Sequence, residues 1–376
     1  MPTSPTIAEA RSTTYLTSRL QNPTPSTSTT PPDFQIPTID LSPSFSPSLS
    51  SRHELALQIH NACLTTGFFC ITNHGVSASS RDAILHQASR FTKDLAPEKK
   101  EALHLRNSKL GYGWEPGNYT SLAGDVETKE AFNFGYEAGF DSTGGDGAYC
   151  NLDGSGPEVE GNWWPAEEDL PGFKEAVGGY YGEVLDLARR LLRVFALGLG
   201  VREGYFDGMV THPGGIVRLL YYPPSKEEEE EEEEEEDIGL GAHSDYECFT
   251  ILHSSSVPGL EILTPSNTWH RVAPTPNSFI VNVADFLMRW TNGLYKSTIH
   301  RVVNRSAEER YSVPFFFSVN YDEVVDTLET CVSKERPKRY GPIRAGEYIL
   351  ERLNTTTKGG KGYFGNEDVF GEKGMS

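Results

Sequence analysis

The chain has 376 residues, of which 37% are hydrophobic, and a formal net charge of −20. No run approaches the roughly 18 consecutive apolar residues of a membrane-spanning helix, and no basic stripe offers the phosphate contacts that nucleic-acid binding needs. Five scattered cysteines without a CxxC pair argue against a disulfide scaffold or zinc ribbon and indicate a reducing compartment. We therefore expect a cytoplasmic, monomeric protein without nucleic-acid or membrane partners.

Two ends of the chain are predicted to lie outside the folded part. Residues 1–34 are rich in Ser, Thr and Pro, which is typical of a disordered tail, and the Gly/Lys-rich residues 354–376 predict a flexible C-terminal tail. We assign 35–165 to an N-terminal region and 166–353 to the catalytic core.

The N-terminal region is predicted to follow a β-α-β-α order. Apolar alternation indicates a strand over 36–41, and the residue patterns then predict a helix over 51–65, a strand over 68–72 and a helix over 79–95. Residues 105–165 are rich in Gly and aromatic residues, so long loops are expected there.

The second half of the chain changes from helical to strand periodicity. Apolar spacing predicts a long helix over 171–199, and a further short helix is predicted over 203–209. Many short strands at regular spacing predict a jelly roll, and 345–353 is expected to close as a helix. The fold class is therefore mainly β with flanking helices (α+β). The predicted strands are 216–222, 238–243, 248–253, 259–263, 279–283, 298–304 and 311–319.

An unbroken run of ten glutamates interrupts this β region. Glu227–Glu236 lies within a predicted loop over 226–237, between two strands. Because like charges repel, we expect a solvated surface insertion.

One segment of the β region carries a candidate metal site. In Gly241–Tyr246, the side chains of His243 and Asp245 share a face if the segment is extended, because successive side chains of a strand alternate. His300 lies in another predicted strand. Two histidines and one carboxylate form the facial triad of non-haem Fe(II) oxygenases, which leaves coordination positions open for co-substrate and O2.

A candidate anion receptor follows ten residues after His300. Arg310 and Ser312 share a face of their strand, and a guanidinium beside a hydroxyl suits a carboxylate. Tyr222, near the end of the strand over 216–222, adds a phenol.

Several segments, in order along the chain, resemble the 2-oxoglutarate- and Fe(II)-dependent dioxygenases, in the branch that includes isopenicillin N synthase. The resemblance covers about residues 35–353. The matching segments are the entry strand Ile36–Leu41, the GFF…NHG turn in Gly67–Val76, Arg218–Pro224 for RxNxYPP, Gly241–Leu252 for GAHTDYxxxTLL, Val281–Asp285 for VNIGD, the Arg289–Gly293 loop, Lys296–Val303 for KSTxHRVVN and Arg310–Phe317 for RYSxPFF.

The resemblance implies a fold, a ligand set and a reaction. The fold is a double-stranded β-helix, a distorted jelly roll, with N-terminal helices packed outside. His243, Asp245 and His300 would bind Fe(2+), while Arg310 and Ser312, helped by Tyr222, would bind 2-oxoglutarate. O2 would hydroxylate or desaturate a small organic molecule, as in secondary metabolism, with 2-oxoglutarate converted to succinate and CO2; ascorbate is expected to support turnover.

Two alternatives remain open at this point. The same fold serves Fe(II) oxidases that do not use 2-oxoglutarate, such as isopenicillin N synthase, and Arg310 and Ser312 would then hold a substrate carboxylate. A binding or sensor protein that kept the pocket and lost turnover is a third possibility, against which the intact triad argues.

Other residues near these motifs receive weaker assignments. Glu247 stands where the family often has Gly, and we expect a solvated side chain rather than a substrate-side carboxylate. Asn282 and Asp285 are interpreted as structural, with Asp285 capping a turn or orienting a neighbour of the site. Four histidines are given no metal role: His74, His212, His253 and His270. Candidate pocket-wall or lid aromatics are Phe132, Phe134, Tyr246, Phe317, Tyr112 and Trp114.

Overall fold

The computed structural model describes residues 34–119, 121–122, 125–225 and 238–356. Most of the predicted N-terminal tail, the Glu227–Glu236 run and residues 357–376 lie outside the described residues. The domain boundaries at 35–165 and 166–353 stay predictions.

Helices and strands follow the order expected from the sequence, a β-α start and a β-rich second half. The helices are α1 (Leu49–Thr65), α2 (Ala78–Lys93), α3 (Pro97–Ala102), α4 (Phe173–Gly198), α5 (Asp285–Trp290) and α6 (Ala345–Thr356). The strands are β1 (Thr38–Asp40), β2 (Phe68–Thr72), β3 (Gly113–Glu115), β4 (Ser121–Leu122), β5 (Asp125–Val126), β6 (Glu130–Gly135), β7 (Gly215–Tyr222), β8 (Ile238–His243), β9 (Phe249–Ser254), β10 (Leu260–Leu263), β11 (Trp269–Arg271), β12 (Phe279–Val283), β13 (His300–Val303), β14 (Arg310–Phe317), β15 (Val324–Val325) and β16 (Ile343–Arg344).

Two sheets form the jelly roll. The larger has the order β1-β2-β12-β9-β14-β7-β6-β3, and the smaller has the order β11-β10-β13-β8. Within the larger sheet only β1 and β2 pair in parallel; every other pair is antiparallel. The double-stranded β-helix predicted from the sequence is confirmed.

Alternation along the central strands separates the core from a cavity. In β14 the odd-numbered Val313, Phe315 and Phe317 belong to the main hydrophobic core, whereas the even-numbered Pro314 and Phe316 line a cavity. The same division holds in β7 and β9, because side chains of a strand point to opposite faces in turn. The sheet thus packs one face on helices and turns the other toward the site.

Helix α4 covers the core face of the large sheet. Its apolar residues recur at helical spacing, and those that face the sheet are buried. Phe195 meets Phe249 of β9, and Tyr181 meets Phe315 of β14, with ring centroids 5.2 Å apart in both pairs. This support holds the strands that carry the site.

Several predicted elements differ from the structure. The stretch 105–165, expected to be loops, contains β3 and β6, which join the large sheet. The alternation in β6 is confined to Phe132-Asn133-Phe134 within a stretch rich in Gly and aromatic residues, which is too short to stand out as a strand. Strand β11 and helix α5 were not predicted, and the predicted helix over 203–209 is reduced to a 3-10 turn at Asp207–Met209.

Candidate active site

The smaller sheet and the loop after it bring three ligand-type side chains together. His243 ends β8, His300 begins β13, and the two residues are direct partners in the antiparallel register. Asp245 follows β8 by two residues, and its Oδ1 lies 3.5 Å from His243 Nε2 and 3.6 Å from His300 Nε2. Among the residues that the structure describes, these three alone form a cluster able to hold a metal ion.

Hydrogen bonds orient each of the three side chains. The Nδ1 atoms of His243 and His300 lie 2.7 and 3.1 Å from the backbone oxygens of Gly241 and Thr298. Because a carbonyl oxygen can only accept, Nδ1 carries a proton in both rings, and Nε2 is the nitrogen that would bind a metal. The tautomer that ligation requires is therefore already selected.

Asp245 is fixed through its other oxygen. Its Oδ2 accepts hydrogen bonds from Thr250 Oγ1 at 2.5 Å and from Asn282 Nδ2 at 2.7 Å, so Oδ1 faces the imidazoles. Asn282, which the sequence suggested was simply structural, thus touches a candidate ligand. Asp285 donates its backbone N–H to the backbone oxygen of Asp245, and its carboxylate accepts from Ser244 and Arg352.

The electrostatics of the cluster suit a cation. Burial alone would raise the pKa of Asp245, but the two imidazoles, His300 foremost, hold it well below its usual value. For His300 burial acts to lower the pKa, and the facing carboxylate outweighs burial and raises it. The carboxylate is therefore ionised, and the donor set of two imidazoles and one carboxylate fits Fe(II).

The large sheet contributes a buried cation, Arg310, to the cavity that the triad lines. Arg310 is 2% exposed and sits opposite Tyr222 in the β14–β7 register, with its guanidinium carbon 4.9 Å from the phenol ring centroid. Among the described residues, Arg310 Nε and Nη1 and the Tyr222 hydroxyl have no hydrogen-bond partner. Burial lowers the pKa of Arg310, yet a guanidinium stays protonated in proteins.

A buried charge without a counter-ion is costly, so this arrangement fits an anionic ligand. Ser312, two residues along the same face of β14, lines the same cavity as Arg310 and Tyr222. The sequence-predicted receptor is thus assembled at one place, and its unsatisfied donors are those a carboxylate would accept from.

One cavity of about 290 Å³ joins the two clusters. Its walls include the triad, the Arg310 receptor, and aliphatic and aromatic side chains from both sheets. Sequence reasoning missed Leu110 and Gly111 as well as Ile349 and Leu353 of α6, which line the cavity although they lie far from any motif. In the sequence these four are ordinary Leu, Ile or Gly residues in a predicted loop or helix. Such residues are too common to indicate a site.

The expectation of a solvated Glu247 is wrong. Its side chain is 4% exposed and lines the cavity, and its Oε1 accepts a hydrogen bond from the Tyr321 hydroxyl at 3.3 Å. Burial raises the pKa of Glu247 to about 8. The sequence could not predict the burial of Glu247. The residue lies beyond the end of β8, where the alternation of a strand no longer determines which way a side chain points.

The predicted wall aromatics divide into cavity and core. Tyr246 lines the cavity, whereas Phe132, Phe134 and Phe317 are packed in the hydrophobic core. The predicted lid is also wrong: Tyr112 is buried, and Trp114 lies in β3, opposite Phe132 of β6. The reason is that β3, which directly follows Tyr112, joins the large sheet.

The four histidines that were given no metal role lie apart from the triad. His74 stacks on Phe279 at 4.3 Å between ring centroids, and His253 meets the same ring edge-on. His212 is held between two surface carboxylates, and His270 contacts Phe34. None belongs to the metal-type cluster found among the described residues.

A compact ion network forms one side wall of the cavity. Lys129 Nζ lies 2.6 Å from Glu115 and 2.8 Å from Glu127, and Arg218 Nη2 lies 2.6 Å from the second oxygen of Glu115. Glu127, Lys129 and Arg218 line the cavity, and Glu115 contacts two of them. Glu115, Glu127 and Lys129 are almost completely buried. Two cations and two carboxylates balance in charge.

The comparisons with known proteins agree with this geometry. Residues 213–319 match the 2OG-Fe(II) oxygenase superfamily, and residues 36–154 match the domain described as non-haem dioxygenase in morphine synthesis N-terminal. The 2-oxoglutarate-Fe(II) type oxidoreductase hxnY of Emericella nidulans is 35% identical, spanning 83% of this chain and 88% of that protein. Azadirone synthase LFS of Melia azedarach is 32% identical, spanning 80% and 89%.

Solved structures show the same relationship. A full-length Neurospora crassa protein, crystallised in complex with alpha-KG, superposes with a TM-score of 0.73 at 27% identity, covering 88% of this chain and 100% of its own. No helix among the described residues combines the length and apolar character needed to cross a membrane. The relatives favour the 2-oxoglutarate-dependent reaction over the oxidase alternative, and the chain belongs to the 2-oxoglutarate–Fe(II) oxygenase superfamily as an oxidoreductase that uses Fe(II) and 2-oxoglutarate.

Proposed function

We propose that His243, Asp245 and His300 hold the Fe(II) and that Arg310, Ser312 and Tyr222 hold the distal carboxylate of 2-oxoglutarate. The observation that carries the assignment is the buried Arg310, which has unsatisfied donors and faces the same cavity as the triad. When bound, Fe(II) supplies the redox chemistry that couples decarboxylation of 2-oxoglutarate to oxidation of a substrate by O2.

The chain's own residues supply position and exclusion of water. Arg310 would anchor the far end of the co-substrate within the cavity that the triad also lines. Thr250 and Asn282 keep Asp245 in one rotamer, and the backbone oxygens of Gly241 and Thr298 keep both imidazoles in one tautomer. Burial of Asp245, Thr250 and Asn282 strengthens these interactions.

The substrate is a small organic molecule that is hydroxylated or desaturated. Relatives differ widely in what they bind: the Neurospora crassa protein was also crystallised with thymine, and a JOX2 structure contains JA. A cavity of about 290 Å³ is at the lower end for ligand sites and must also hold 2-oxoglutarate.

Succinate formation tests the proposal. Anaerobically purified protein is given Fe(II), 2-oxoglutarate, ascorbate and O2, and succinate is quantified with and without candidate substrates. We expect succinate above background with the native chain and none with Asp245→Ala. Oxygen consumption that does not depend on 2-oxoglutarate would instead support the oxidase alternative.

We also propose that the enzyme acts as a monomer in the cytoplasm. The five cysteines are unpaired and four of them are buried, which suits a reducing compartment. Size-exclusion chromatography with light scattering should give a mass near 41.6 kDa, and fractionation of source cells should place the protein in the cytosol.

A further inference from the structure

Arg310 and Tyr222, the two largest side chains of the proposed 2-oxoglutarate receptor, are each packed against a glycine. A Cβ atom placed on Gly259, directly before β10, would lie 2.8 Å from Arg310 Cδ and 2.9 Å from Arg310 Nε. One placed on Gly239, in β8, would lie 2.6 Å from Tyr222 Cδ1 and 3.0 Å from Tyr222 Cε1. Non-bonded heavy atoms pack at about 3.5 Å or more, so a larger residue at either position requires something to move.

Both glycines are held by the backbone of the smaller sheet. Gly259 is buried, and its carbonyl oxygen accepts a hydrogen bond from the N–H of Val303 in β13 at 2.9 Å. Gly239 is buried in β8, and a Cβ there would also lie 3.3 Å from the backbone oxygen of Val302. Because a hydrogen-bonded backbone yields less readily than the end of a side chain, a methyl group at either position should displace the receptor side chain.

The two glycines contact the receptor from behind. Arg310 and Tyr222 line the cavity, whereas Gly259 and Gly239 do not. The receptor side chains therefore separate the glycines from the space that the co-substrate would occupy. A methyl group at either glycine would push the guanidinium or the phenol ring into the cavity, so less length would remain for a bound acid.

We propose that Gly259 and Gly239 are positioning residues that set the depth of the receptor and thereby select 2-oxoglutarate over shorter 2-oxo acids. Glycine at both positions lets Arg310 and Tyr222 pack back against the smaller sheet, which leaves room for the whole length of 2-oxoglutarate. Neither glycine would touch the co-substrate. This inference rests on the proposed function, because it takes Arg310 and Tyr222 as the groups that receive the distal carboxylate.

Anaerobic equilibrium dialysis of Gly259→Ala tests the selection. The probes are 2-oxoglutarate and oxaloacetate, which is shorter by a single methylene, and retained Fe(II) is quantified in the same samples. We expect the variant to bind 2-oxoglutarate about tenfold more weakly than the native chain, and the ratio of the two affinities to move toward oxaloacetate by a similar factor. Iron affinity should not change, because Gly259 is bonded to the last residue of β13 and His300 is its first.

Two further variants extend the test. Gly239→Ala acts on Tyr222 rather than on Arg310, and it should shift the affinity ratio in the same direction, so the result does not depend on one substitution. Gly179→Ala is the matched control, because a Cβ on this residue of α4 would meet no described atom within 4 Å beyond its own helix. It should bind both acids as the native chain does.

A double-mutant cycle distinguishes positioning of Arg310 from a general effect on the fold. Arg310→Ala removes the Cδ and Nε atoms that a Cβ at residue 259 would meet. Adding Gly259→Ala to that variant should therefore cause no further loss of the remaining 2-oxoglutarate binding. A general disturbance of the fold would weaken binding by the same factor in both backgrounds, and that result would overturn the inference.

The other outcomes separate two failures. If Gly259→Ala and Gly239→Ala retain iron and bind the two acids in the native ratio, the positioning role is wrong and the proposed function stands. Loss of iron together with both acids would show that the glycines support the fold as a whole, which also contradicts the positioning role. If the native chain retains Fe(II) but no 2-oxoglutarate, the proposed function itself fails.

Discussion

Arg310 is a fully buried cation whose side chain meets a phenol ring rather than a carboxylate. Most other buried or half-buried cations of the described structure, such as Lys129 and Arg218, have acidic partners. The contrast indicates that its counter-ion arrives with a ligand, because an uncompensated buried charge costs several kcal/mol.

Replacing Arg310 with Met should raise the KM for 2-oxoglutarate by about two orders of magnitude, because charge-assisted hydrogen bonds to the carboxylate are lost. Steady-state succinate formation measures this effect. Arg193→Met, at an exposed pair with Asp207, is the matched control and should leave the KM unchanged. An unaltered KM in Arg310→Met would remove this residue from co-substrate binding.

Asn282→Ala should weaken Fe(II) binding by about ten- to hundredfold, since it removes one of two donors that hold Asp245 Oδ2. Competition with a chromophoric chelator gives the affinity. Asn304→Ala also removes a buried amide, one bonded to Pro223 and Glu308 away from the triad, and should lower stability without changing iron affinity. Equal iron affinity in both variants would contradict the positioning role.

At the scale of elements, α6 closes the end of the cavity opposite the 2-oxoglutarate receptor. Ile349 and Leu353 line the cavity, and Arg352 donates to Asp285 at 2.8 Å while its guanidinium lies 4.8 Å from the Tyr246 ring centroid. Asp285 in turn donates its N–H to Asp245. Asp285 therefore links helix α6 to the segment that carries Asp245.

Arg352→Ala should loosen this cap without unfolding the protein. Amide hydrogen exchange over Ala345–Thr356 is expected to accelerate by about tenfold, the result of losing a charged hydrogen bond and a cation–π contact. Exchange in α4 should not change, and Arg106→Ala, at a remote exposed pair with Glu101, should leave both helices as they are. Unchanged exchange in the last helix would show that Arg352 does not hold it.

Element periodicity explains how much of the site could be predicted. His243, Arg310 and Ser312 lie on strands whose alternation fixes their facing, and the structure brings them to the expected cavity. Glu247 and Leu110 lie in connecting segments, where no period applies, so their positions depend on tertiary packing. Strand β6 was missed because its apolar–polar alternation spans only Phe132–Phe134 within a stretch rich in Gly and aromatic residues.

At the scale of the whole molecule, the double-stranded β-helix was predictable because it depends on regular strand and turn spacing. The pairing of β6 with β7 was not, since it joins distant segments, such as Asn133 and Arg218, which are 85 residues apart, and the sequence around β6 resembles loops. Asn133 of β6 and Ile349 and Leu353 of α6 line the cavity, so this part of its wall could be assigned only from the structure.

Two buried histidines should make the fold sensitive to mild acid. Burial lowers the pKa of both His74 and His253 to about 4, so the unfolded chain binds more protons than the folded chain below about pH 6.5. Their contribution to stability is thus present above that pH and is lost as the pH falls toward 4. The free energy of unfolding, from urea titrations, should decrease between pH 6.5 and 5.

His253→Gln separates this effect from the titration of carboxylates. The variant removes one titrating group that packs on Phe279, so its stability should depend less steeply on pH over the same interval, even if it is lower throughout. An identical slope in variant and native chain would mean that this histidine is protonated without cost in the folded state.

The central claim is that one triad and one buried arginine together bind Fe(II) and 2-oxoglutarate. The most direct measurement is an anaerobic titration of the metal-loaded protein with 2-oxoglutarate, followed by the weak visible charge-transfer band of the chelate. We predict a band that saturates at one equivalent in the native chain and is absent in His300→Ala. A native chain that binds Fe(II) but develops no band at any 2-oxoglutarate concentration would contradict the account.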